Sequence, residues 1–390
     1  MDALITRAVS EFSDIFGEKP SHFGDAPGRV EVIGNHTDYN HGFILASAID
    51  RRLAVVGRPV DGETARVYSR TFNSGASFRA ADPVKMKENP WVNYIMGVIW
   101  QLRNKGVKVG AFDAMILGDV PLGAGLSSSA ALEVATAFFL RAMNGFSMDP
   151  IAIAVNCQAA ENNFVGMNCG ILDQFASAMA QPERLVFLDC RNLDAYSYYP
   201  LGSAVKLVIA NTKAPHVLVD GAYNRLREAC FRAARICAEK FPEKRVTHLR
   251  DVDPELLDAC KNAMGEEDYR RAHHIVTENA RVLAGAEALT RGDYKGMGGL
   301  MTASHASSRD WFGNSATELD AMVDLALEIP GCYGARLSGG GFGGATINLV
   351  ESDKAEDFAQ TLADRYREKI RIEPEIHLFK AGAGAGGGAL

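Results

Sequence analysis

The most constraining feature of this chain is the segment PLGAGLSSSAALEVATAFFL, residues 121–140, in which a glycine- and serine-rich loop runs into an alanine-rich helix. Gly123 and Gly125 lack the Cβ atoms that would keep an anion away from main-chain N–H groups. The helix that follows directs its unpaired N-terminal amides and the positive end of its dipole at the same spot. This arrangement is typical of a phosphate-binding loop, although ordinary turn and N-cap chemistry uses the same residue types.

The same loop carries three consecutive serines, Ser127, Ser128 and Ser129, and no lysine follows them. It therefore differs from the GxxxxGK[ST] loop of common nucleotide-hydrolysing folds, and GAGLSS also lacks the third glycine of the dinucleotide fingerprint. Serine hydroxyls can serve as magnesium ligands. The sequence thus predicts that a bound triphosphate is neutralised mainly by metal and by the helix dipole.

The composition is that of an ordinary globular protein, with 47% hydrophobic and 23% charged residues among 390. This length suits two domains better than one. The formal net charge is −7 and no dense run of lysine and arginine occurs, which disfavours nucleic acid or an acidic membrane surface as the main partner. A phosphorylated ligand would therefore need a local binding site.

The cysteine pattern disfavours both a disulfide framework and a zinc cluster, because the seven cysteines are odd in number, scattered and free of any CxxC pair. The amino terminus has acidic residues at short intervals and no long apolar stretch, and no later run approaches the ~20 apolar residues of a membrane span. We therefore expect a soluble, untargeted protein of the reducing cytoplasm, and a monomer.

Hydrophobic periodicity predicts an α+β chain that divides near residue 185, with an N-terminal domain of residues 1–185 and a C-terminal domain of residues 186–390. Predicted helices lie near residues 2–16, 91–104, 150–162 and 353–369, and residues 222–326 are mostly helical. Predicted strands include APGRVEVIG, FILASAIDRRLAVVGRPV, AFDAMILGDV, RLVFLDC, AVKLVIANT and EIHLF. The tail AGAGAGGGAL is predicted to be too glycine-rich to pack, and thus flexible.

The turn GNHTDYNHG, residues 34–42, carries more polar side chains than a hairpin needs. A carboxylate can accept hydrogen bonds from two vicinal hydroxyls, while histidine and asparagine supply complementary donors. The turn therefore suits a polyhydroxylated ligand. A solvated loop is the alternative.

Two carboxylates, Glu161 and Asp173, lie within the otherwise small and apolar segment AENNFVGMNCGILDQFASAMA. An unpaired charge would be costly there, so Asp173 is expected to have a cationic partner, for which Arg29 is the best candidate. The alternative is an aspartate that caps a helix after a glycine bend.

A third glycine cluster, SGGGFGG, spans residues 338–344 and matches GxGxxG at Gly339, Gly341 and Gly344. The dinucleotide interpretation needs an acidic residue about 20 positions later, and the nearest acids come too early. Close approach of the backbone to a phosphate or to the first glycine loop explains the cluster better, with a tight hairpin turn as the alternative.

Together the segments APGRVEVIGNHTDYN, PLGAGLSSSAALEVA and ARLSGGGFGGA occur in the order and approximate spacing of the three motifs of the GHMP superfamily of small-molecule kinases. Within it the chain resembles the galactokinase family, because the first segment is similar to the signature GRVNLIGEHTDYN. AENNFVGMNCGILDQ, HHIVTENAR and SHASSRDWF are also similar to that family, so the resemblance covers nearly the whole chain.

The resemblance implies a two-domain GHMP kinase fold with mixed or antiparallel sheets, an active site between the domains, and phosphorylation of galactose at C1 with ATP and Mg²⁺. It implies that Asp173 is the catalytic aspartate facing the anomeric hydroxyl, with Arg29 beside it. The implied sugar-binding residues are Asn35, His36, Asp38 and Tyr223. The implied ATP-binding residues are Gly123, Gly125, Leu126, Ser127, Ser128, Ser129, Gly340 and Gly341. The implied magnesium ligands are Ser129 and Glu161.

One departure concerns the sugar. The family has asparagine where this chain has Glu31, and glutamate where it has Asn35. On an extended strand the two side chains share a face, so an exchanged amide and carboxylate could keep a mutual hydrogen bond. A turn that begins before residue 35 is the alternative. Loss of the family glutamate leaves galacturonate as an alternative substrate, because a carboxylate at C6 would no longer be repelled. A non-catalytic sugar- and ATP-binding regulator is the other alternative.

Overall fold

The computed structural model of this protein describes residues 2–214 and 221–390. The helices are α1 (Ala3–Phe16), α2 (Val92–Asn104), α3 (Ser128–Asn144), α4 (Pro150–Ala160), α5 (Leu172–Met179), α6 (Ala222–Lys240), α7 (Pro254–Cys260), α8 (Glu266–Thr290), α9 (Tyr294–Ser307), α10 (Thr317–Leu327) and α11 (Ala355–Ile370). The strands are β1 (His22–Ile33), β2 (Phe43–Pro59), β3 (Thr64–Ser69), β4 (Ser74–Arg79), β5 (Phe112–Gly118), β6 (Arg184–Asp189), β7 (Tyr196–Pro200), β8 (Val205–Asn211), β9 (Cys332–Ser338), β10 (Ala345–Glu351), β11 (Glu375–Phe379) and β12 (Gly386–Ala389).

Local sequence explains several helix ends. Asp2 caps α1, since its carboxylate accepts a hydrogen bond from the N–H of Leu4 at 2.8 Å, and Gly17 ends the helix with φ of 71°. Asp149 caps α4 in the same way, with Pro150 at the first helical position. The predicted helices therefore form at the expected places.

The first half of the fold is a mixed sheet with the strand order β12-β1-β2-β5-β3-β4 across the described residues. All its pairings are antiparallel except β3 with β5, and the hairpin β6-β7 joins through β2. Helices α2, α3, α4 and α5 pack together against this sheet around one hydrophobic core. A helix-covered mixed sheet is the α+β architecture predicted from the sequence.

The sheet extends beyond the predicted domain boundary. Residues 184–200, which form β6 and β7, pair with the first sheet rather than with the second. We therefore propose a boundary just after Pro200 in place of the one predicted near residue 185.

The prediction that the glycine-rich tail does not pack is wrong. Residues 386–389 form β12, which pairs antiparallel with residues 22–25 of β1. Glycine allows this packing, because a Cβ on Gly387 would lie 2.8 Å from the carbonyl oxygen of Phe23 and 3.0 Å from that of Phe138. The composition that suggested flexibility instead lets the tail lie between β1 and α3.

The second half has an antiparallel sheet of order β11-β8-β10-β9. Helices α10 and α11 pack on it around one core, and α9 packs on β9. Helices α6, α7 and α8 form a further helical layer whose core includes Tyr39, a residue of the polar turn between β1 and β2. The turn is therefore held between the two halves. Among the described residues, no helix is both long and apolar enough to span a membrane.

Candidate active site

A cavity of about 470 Å³ lies between the two halves of the fold and collects most of the residues that the sequence singles out. Strand β1, the polar turn, helix α5, helix α6 and the third glycine cluster all contribute to its wall. The lining candidates are Arg29, Asn35, His36, Asp38, Ser129, Glu161, Asp173, Tyr223, Gly340 and Gly341.

Asp173 is held from two sides. Arg29 donates to its Oδ1 atom from Nε at 2.6 Å and approaches the same oxygen from Nη2 at 2.5 Å, while the hydroxyl of Ser127 donates to Oδ2 at 2.5 Å. The expected cationic partner is thus in place. The Arg29 side chain is 6% exposed and that of Asp173 is 27% exposed, so the carboxylate faces the cavity from a buried support.

The phosphate-loop candidates have left-handed backbone conformations. Gly123, Gly125 and Ser127 have φ of 69°, 67° and 53°, so even a serine is left-handed here. Helix α3 begins at Ser128, and no side chain caps its first turn. Its N-terminal N–H groups therefore keep the capacity to bind an anion.

Two loop residues have structural partners of their own. The Ser127 hydroxyl is bonded to Asp173, and the Leu126 carbonyl accepts from the N–H of Arg29 at 3.1 Å while its side chain is buried. Arg29 also donates to the carbonyl of Gly125 at 2.7 Å. The loop and the Asp173 carboxylate are therefore fixed relative to one another through Arg29.

Ser129 also lines a second, smaller cavity of about 150 Å³ on the other side of the loop. Its wall is mostly apolar and includes Trp91 and Phe72, whose rings stack with centroids 5.8 Å apart, and Tyr94. The sequence analysis did not find these aromatic residues, because no local motif distinguishes them from core residues.

The polar turn presents His36 and Asp38 to the main cavity. His36 is left-handed with φ of 59°, and its Nδ1 atom lies 2.8 Å from the hydroxyl of Tyr39. Burial lowers the pKa of His36 to about 4. Asp38 accepts from the N–H groups of Tyr39 at 2.9 Å and of Leu172 at 3.3 Å, and burial raises its pKa to about 6.

The exchanged residues Glu31 and Asn35 form the mutual hydrogen bond that the sequence suggested. The Nδ2 atom of Asn35 donates to Oε1 of Glu31 at 3.0 Å, and Arg336 donates to the same oxygen from Nη1 at 2.8 Å. Burial raises the pKa of Glu31, and the Arg336 guanidinium opposes that change. The two side chains therefore act as a pair on the wall of the cavity.

Glu278 on α8 holds the turn in place. Its Oε1 atom accepts from the N–H groups of Gly34 and Asn35, at 3.0 and 3.1 Å, and Arg281 donates to Oε2 at 2.6 Å. The guanidinium of Arg281 helps to hold the pKa of this fully buried carboxyl at about 2 although burial alone would raise it. The HHIVTENAR segment thus supports the site from behind.

Glu161 belongs to a buried acidic cluster. The Nε2 atom of Gln174 donates to Glu161 at 2.6 Å and to Glu133 at 3.0 Å, and Cys169 contacts Glu161 at 3.4 Å. Burial raises the pKa of Glu161 to about 7, and it raises the pKa of Glu133 well above its usual range. Both contacts use Oε2 of Glu161, so Oε1 remains available to a cation.

The third glycine cluster packs tightly against its neighbours. A Cβ on Gly341 would lie 2.0 Å from the carbonyl oxygen of Asn314, and one on Gly125 would lie 3.4 Å from that of Ser338. The two glycine loops are therefore adjacent, as the sequence suggested. Neither Asn314 nor Arg336 is predicted as a partner from the sequence, because Asn314 belongs to no quoted motif and Arg336, although part of ARLSGGGFGGA, lies 305 residues from Glu31.

The comparison with protein families covers three parts of the chain. The galactokinase galactose-binding signature matches residues 10–59, the GHMP kinase N-terminal domain matches residues 93–181, and the GHMP kinase C-terminal domain matches residues 286–368. These matches include β1 with the polar turn, the phosphate loop with Asp173, and the third glycine cluster.

Relatives match over nearly the full length. The chain is 39% identical to a galactokinase of Chloroflexus aurantiacus and 40% identical to one of Chloroflexus aggregans, each over 98% of this chain and 97% of the relative. The crystal structure of Lactococcus lactis galactokinase complexed with galactose superimposes with a TM-score of 0.93 at 30% identity, covering 98% of this chain and 99% of that one. A mevalonate kinase structure at 14% identity, with a TM-score of 0.62, shares the fold. The chain belongs to the galactokinase family of the GHMP kinases.

Proposed function

We propose that this protein transfers the γ-phosphoryl group of ATP to the C1 hydroxyl of D-galactose, giving galactose 1-phosphate and ADP. The observation that carries the proposal is the position of the Asp173 carboxylate, which Arg29 and Ser127 hold between the polar turn and the phosphate loop. A sugar hydroxyl and a terminal phosphate must meet at such a point for in-line transfer.

The sugar lies in the main cavity in this proposal. Asp38 is oriented by two backbone N–H groups, which leaves acceptor capacity for ring hydroxyls. His36 and Tyr223 both line the cavity, with ring centroids 5.1 Å apart and ring planes tilted by 41°. Aromatic rings near a carboxylate suit a sugar, which has both apolar C–H faces and hydroxyl groups.

ATP lies across the phosphate loop in this proposal, with its phosphates on the N-terminus of α3. The second cavity supports this orientation, because its aromatic lining suits a purine base and Ser129 belongs to both cavities. The triphosphate would then extend from the purine base toward Asp173. The sequence predicted that Leu126 and Ser127 bind phosphate. We propose that they do so only through their main-chain N–H groups, because the Leu126 side chain is buried and the Ser127 hydroxyl is bonded to Asp173.

The residues present fit a magnesium ion. The Ser129 hydroxyl and the Oε1 atom of Glu161 are oxygen donors on the same cavity, and Mg²⁺ is usually held by one or two carboxylates together with substrate phosphates. Within the described part of the chain, no cluster of three or more His, Cys, Asp and Glu side chains could hold a metal. Bound Mg²⁺ would neutralise charge on the phosphates.

Asp173 acts on the acceptor hydroxyl. Its carboxylate accepts the hydrogen bond of the C1 hydroxyl and orients the oxygen toward the γ-phosphorus; as the new P–O bond forms and the bond to ADP breaks, the hydroxyl proton passes to the carboxylate. Arg29, whose side chain is buried, keeps the carboxylate in place and stabilises charge beside it. Positioning and electrostatics therefore supply most of the rate enhancement.

Galactose is favoured over galacturonate by the charges of the cavity. Glu31 and Asp38 both line it, so a carboxylate at C6 would face acidic groups. A like charge at about 4 Å costs about 4 kcal/mol at an effective dielectric constant of 20. The intact loop and aspartate likewise favour an enzyme over a non-catalytic regulator.

We propose a cytoplasmic monomer, and the seven cysteines, which are all free thiols, support the reducing compartment. The test of function is a panel of galactose, galacturonate and glucose with ATP consumption as readout and ³¹P NMR of the product. We expect galactose 1-phosphate as the main product. A preference of about tenfold or more for galacturonate, equivalent to about 1.4 kcal/mol, would overturn the proposal.

A further inference from the structure

The Asn35 side chain has no hydrogen-bonding capacity left for a substrate. Its Nδ2 atom donates to Glu31 at 3.0 Å and to the carbonyl of Gly339 at 2.8 Å, which uses both amide protons. Its Oδ1 atom accepts from Asn314 at 2.8 Å and from Ser308 at 3.3 Å, which uses both lone pairs. The residue is 0% exposed. Asn35 is therefore a structural residue of the cavity wall.

Glu31 differs, because only one of its two carboxylate oxygens is occupied. Oε1 accepts from Asn35 and from Arg336, whereas Oε2 accepts no hydrogen bond from the described residues and is not sealed from solvent. The Glu31 side chain is 6% exposed and lines the main cavity. Its second oxygen is thus an unused acceptor in the cavity.

The strand explains this orientation. Arg29 and Glu31 are two positions apart on β1, so their side chains point to the same face of the sheet. Arg29 reaches Asp173 on that face. Glu31 therefore lies on the same face of β1 as the arginine that holds the catalytic carboxylate, and Glu31 and Asp173 line the same cavity.

We propose that Glu31, and not Asn35, is the sugar-binding residue at this part of the wall, and that its Oε2 atom accepts a hydrogen bond from a hydroxyl of the bound sugar. This inference deepens the proposed function and rests on it. Asn35 and Arg336 position the carboxylate by holding its other oxygen. The assignment of Asn35 as a direct sugar ligand is accordingly replaced.

The test compares wild type with Glu31→Gln on galactose and on its 2-, 3-, 4- and 6-deoxy analogues, with kcat/KM as readout. Loss of a hydrogen bond to a charged acceptor should lower kcat/KM by roughly 10- to 100-fold. We expect that loss for galactose and for every analogue that keeps the contacted hydroxyl. One analogue, which lacks that hydroxyl, should be nearly insensitive to the substitution.

Two further variants keep the test decisive. Glu31→Gln leaves the buried Arg336 without its carboxylate partner. Glu31→Asp is therefore measured alongside it, because it keeps the charge but withdraws the carboxylate by one methylene. It should give the same analogue-selective loss of kcat/KM. Ser308→Ala is the matched control, because it removes a contact of Asn35 away from the cavity and should change all sugars by less than about threefold.

An equal loss on all sugars in both Glu31 variants, or no loss in either, would overturn the role of Glu31 while leaving the proposed function intact. Absence of galactose turnover by the wild-type protein would instead refute the proposed function and this inference together.

Discussion

Replacing Asn35 with glutamate should destabilise the protein in a strongly pH-dependent way. The substitution places a second carboxylate where an amide now donates to Glu31 at 3.0 Å. Two unit charges at ~3 Å repel by about 5 kcal/mol at an effective dielectric constant of 20. Uptake of one proton limits this cost, because protonating a carboxyl of ordinary pKa at pH 7 costs about 4 kcal/mol.

Burial already raises the pKa of Glu31, so proton uptake is easier there, and the expected destabilisation at pH 7 stays below the ~4 kcal/mol that protonating a carboxyl of ordinary pKa costs. One carboxyl of the pair has a higher pKa in the folded variant than in the unfolded chain. The destabilisation therefore grows as the pH rises from the ordinary carboxyl pKa to the raised one. It shrinks by about 1.4 kcal/mol per pH unit as the pH falls back toward the ordinary pKa.

The assay is urea unfolding of Asn35→Glu and Asn35→Gln between pH 5 and pH 8. Glutamine has the size of glutamate without its charge, so the difference between the two variants isolates electrostatics from overpacking. Adding Glu31→Asn to Asn35→Glu should recover most of that difference. Equal unfolding free energies for the two single variants at pH 8 would refute the reasoning.

Three other outcomes are expected. Ser129→Ala and Glu161→Gln should each raise the Mg²⁺ concentration for half-maximal activity by about tenfold or more. In the wild type that Mg²⁺ concentration should rise as the pH falls below about 7, where Glu161 becomes protonated. Superimposable Mg²⁺ titrations of the wild type and both variants would contradict the ligand assignment. Gly170→Ala should raise KM for galactose but not for ATP, since its Cβ would lie 1.8 Å from Oδ2 of Asp38; an unchanged KM would count against Asp38 as a sugar ligand. Deleting residues 383–390 should lower the unfolding free energy by about 2 kcal/mol or more, because the pairing of β12 is lost, and an unchanged midpoint in urea would argue against its packing.

The sequence could predict the parts of the site that lie within short motifs. The glycine loop, the α3 helix after it and the need of Asp173 for a cationic partner follow from local chemistry, since small residues, a helix start and an isolated carboxylate each have few explanations. The hydrogen bond between Glu31 and Asn35 is suggested by the exchange of their residue types, but strand periodicity does not explain it, because Asn35 lies in the turn beyond the end of β1 at Ile33.

Other features depend on contacts that a single sequence does not reveal. Glu278 and Asn314 reach the turn, and Arg336 reaches Glu31 on β1, all from distant elements, and nothing in their own segments specifies these partners. The tail illustrates the opposite difficulty, because a glycine-rich composition typical of flexible segments here permits close packing of β12 against α3. Composition describes what a segment can do alone, whereas packing depends on its neighbours.

In the proposed function Asp173, held by Arg29 and Ser127, orients the sugar hydroxyl for phosphoryl transfer. The most direct measurement is kcat for galactose with Asp173→Asn, together with calorimetric binding of galactose. We expect kcat to fall by about 10²-fold or more, while the dissociation constant for galactose changes by less than about threefold. Turnover near that of the wild type in a folded, galactose-binding variant would contradict the account.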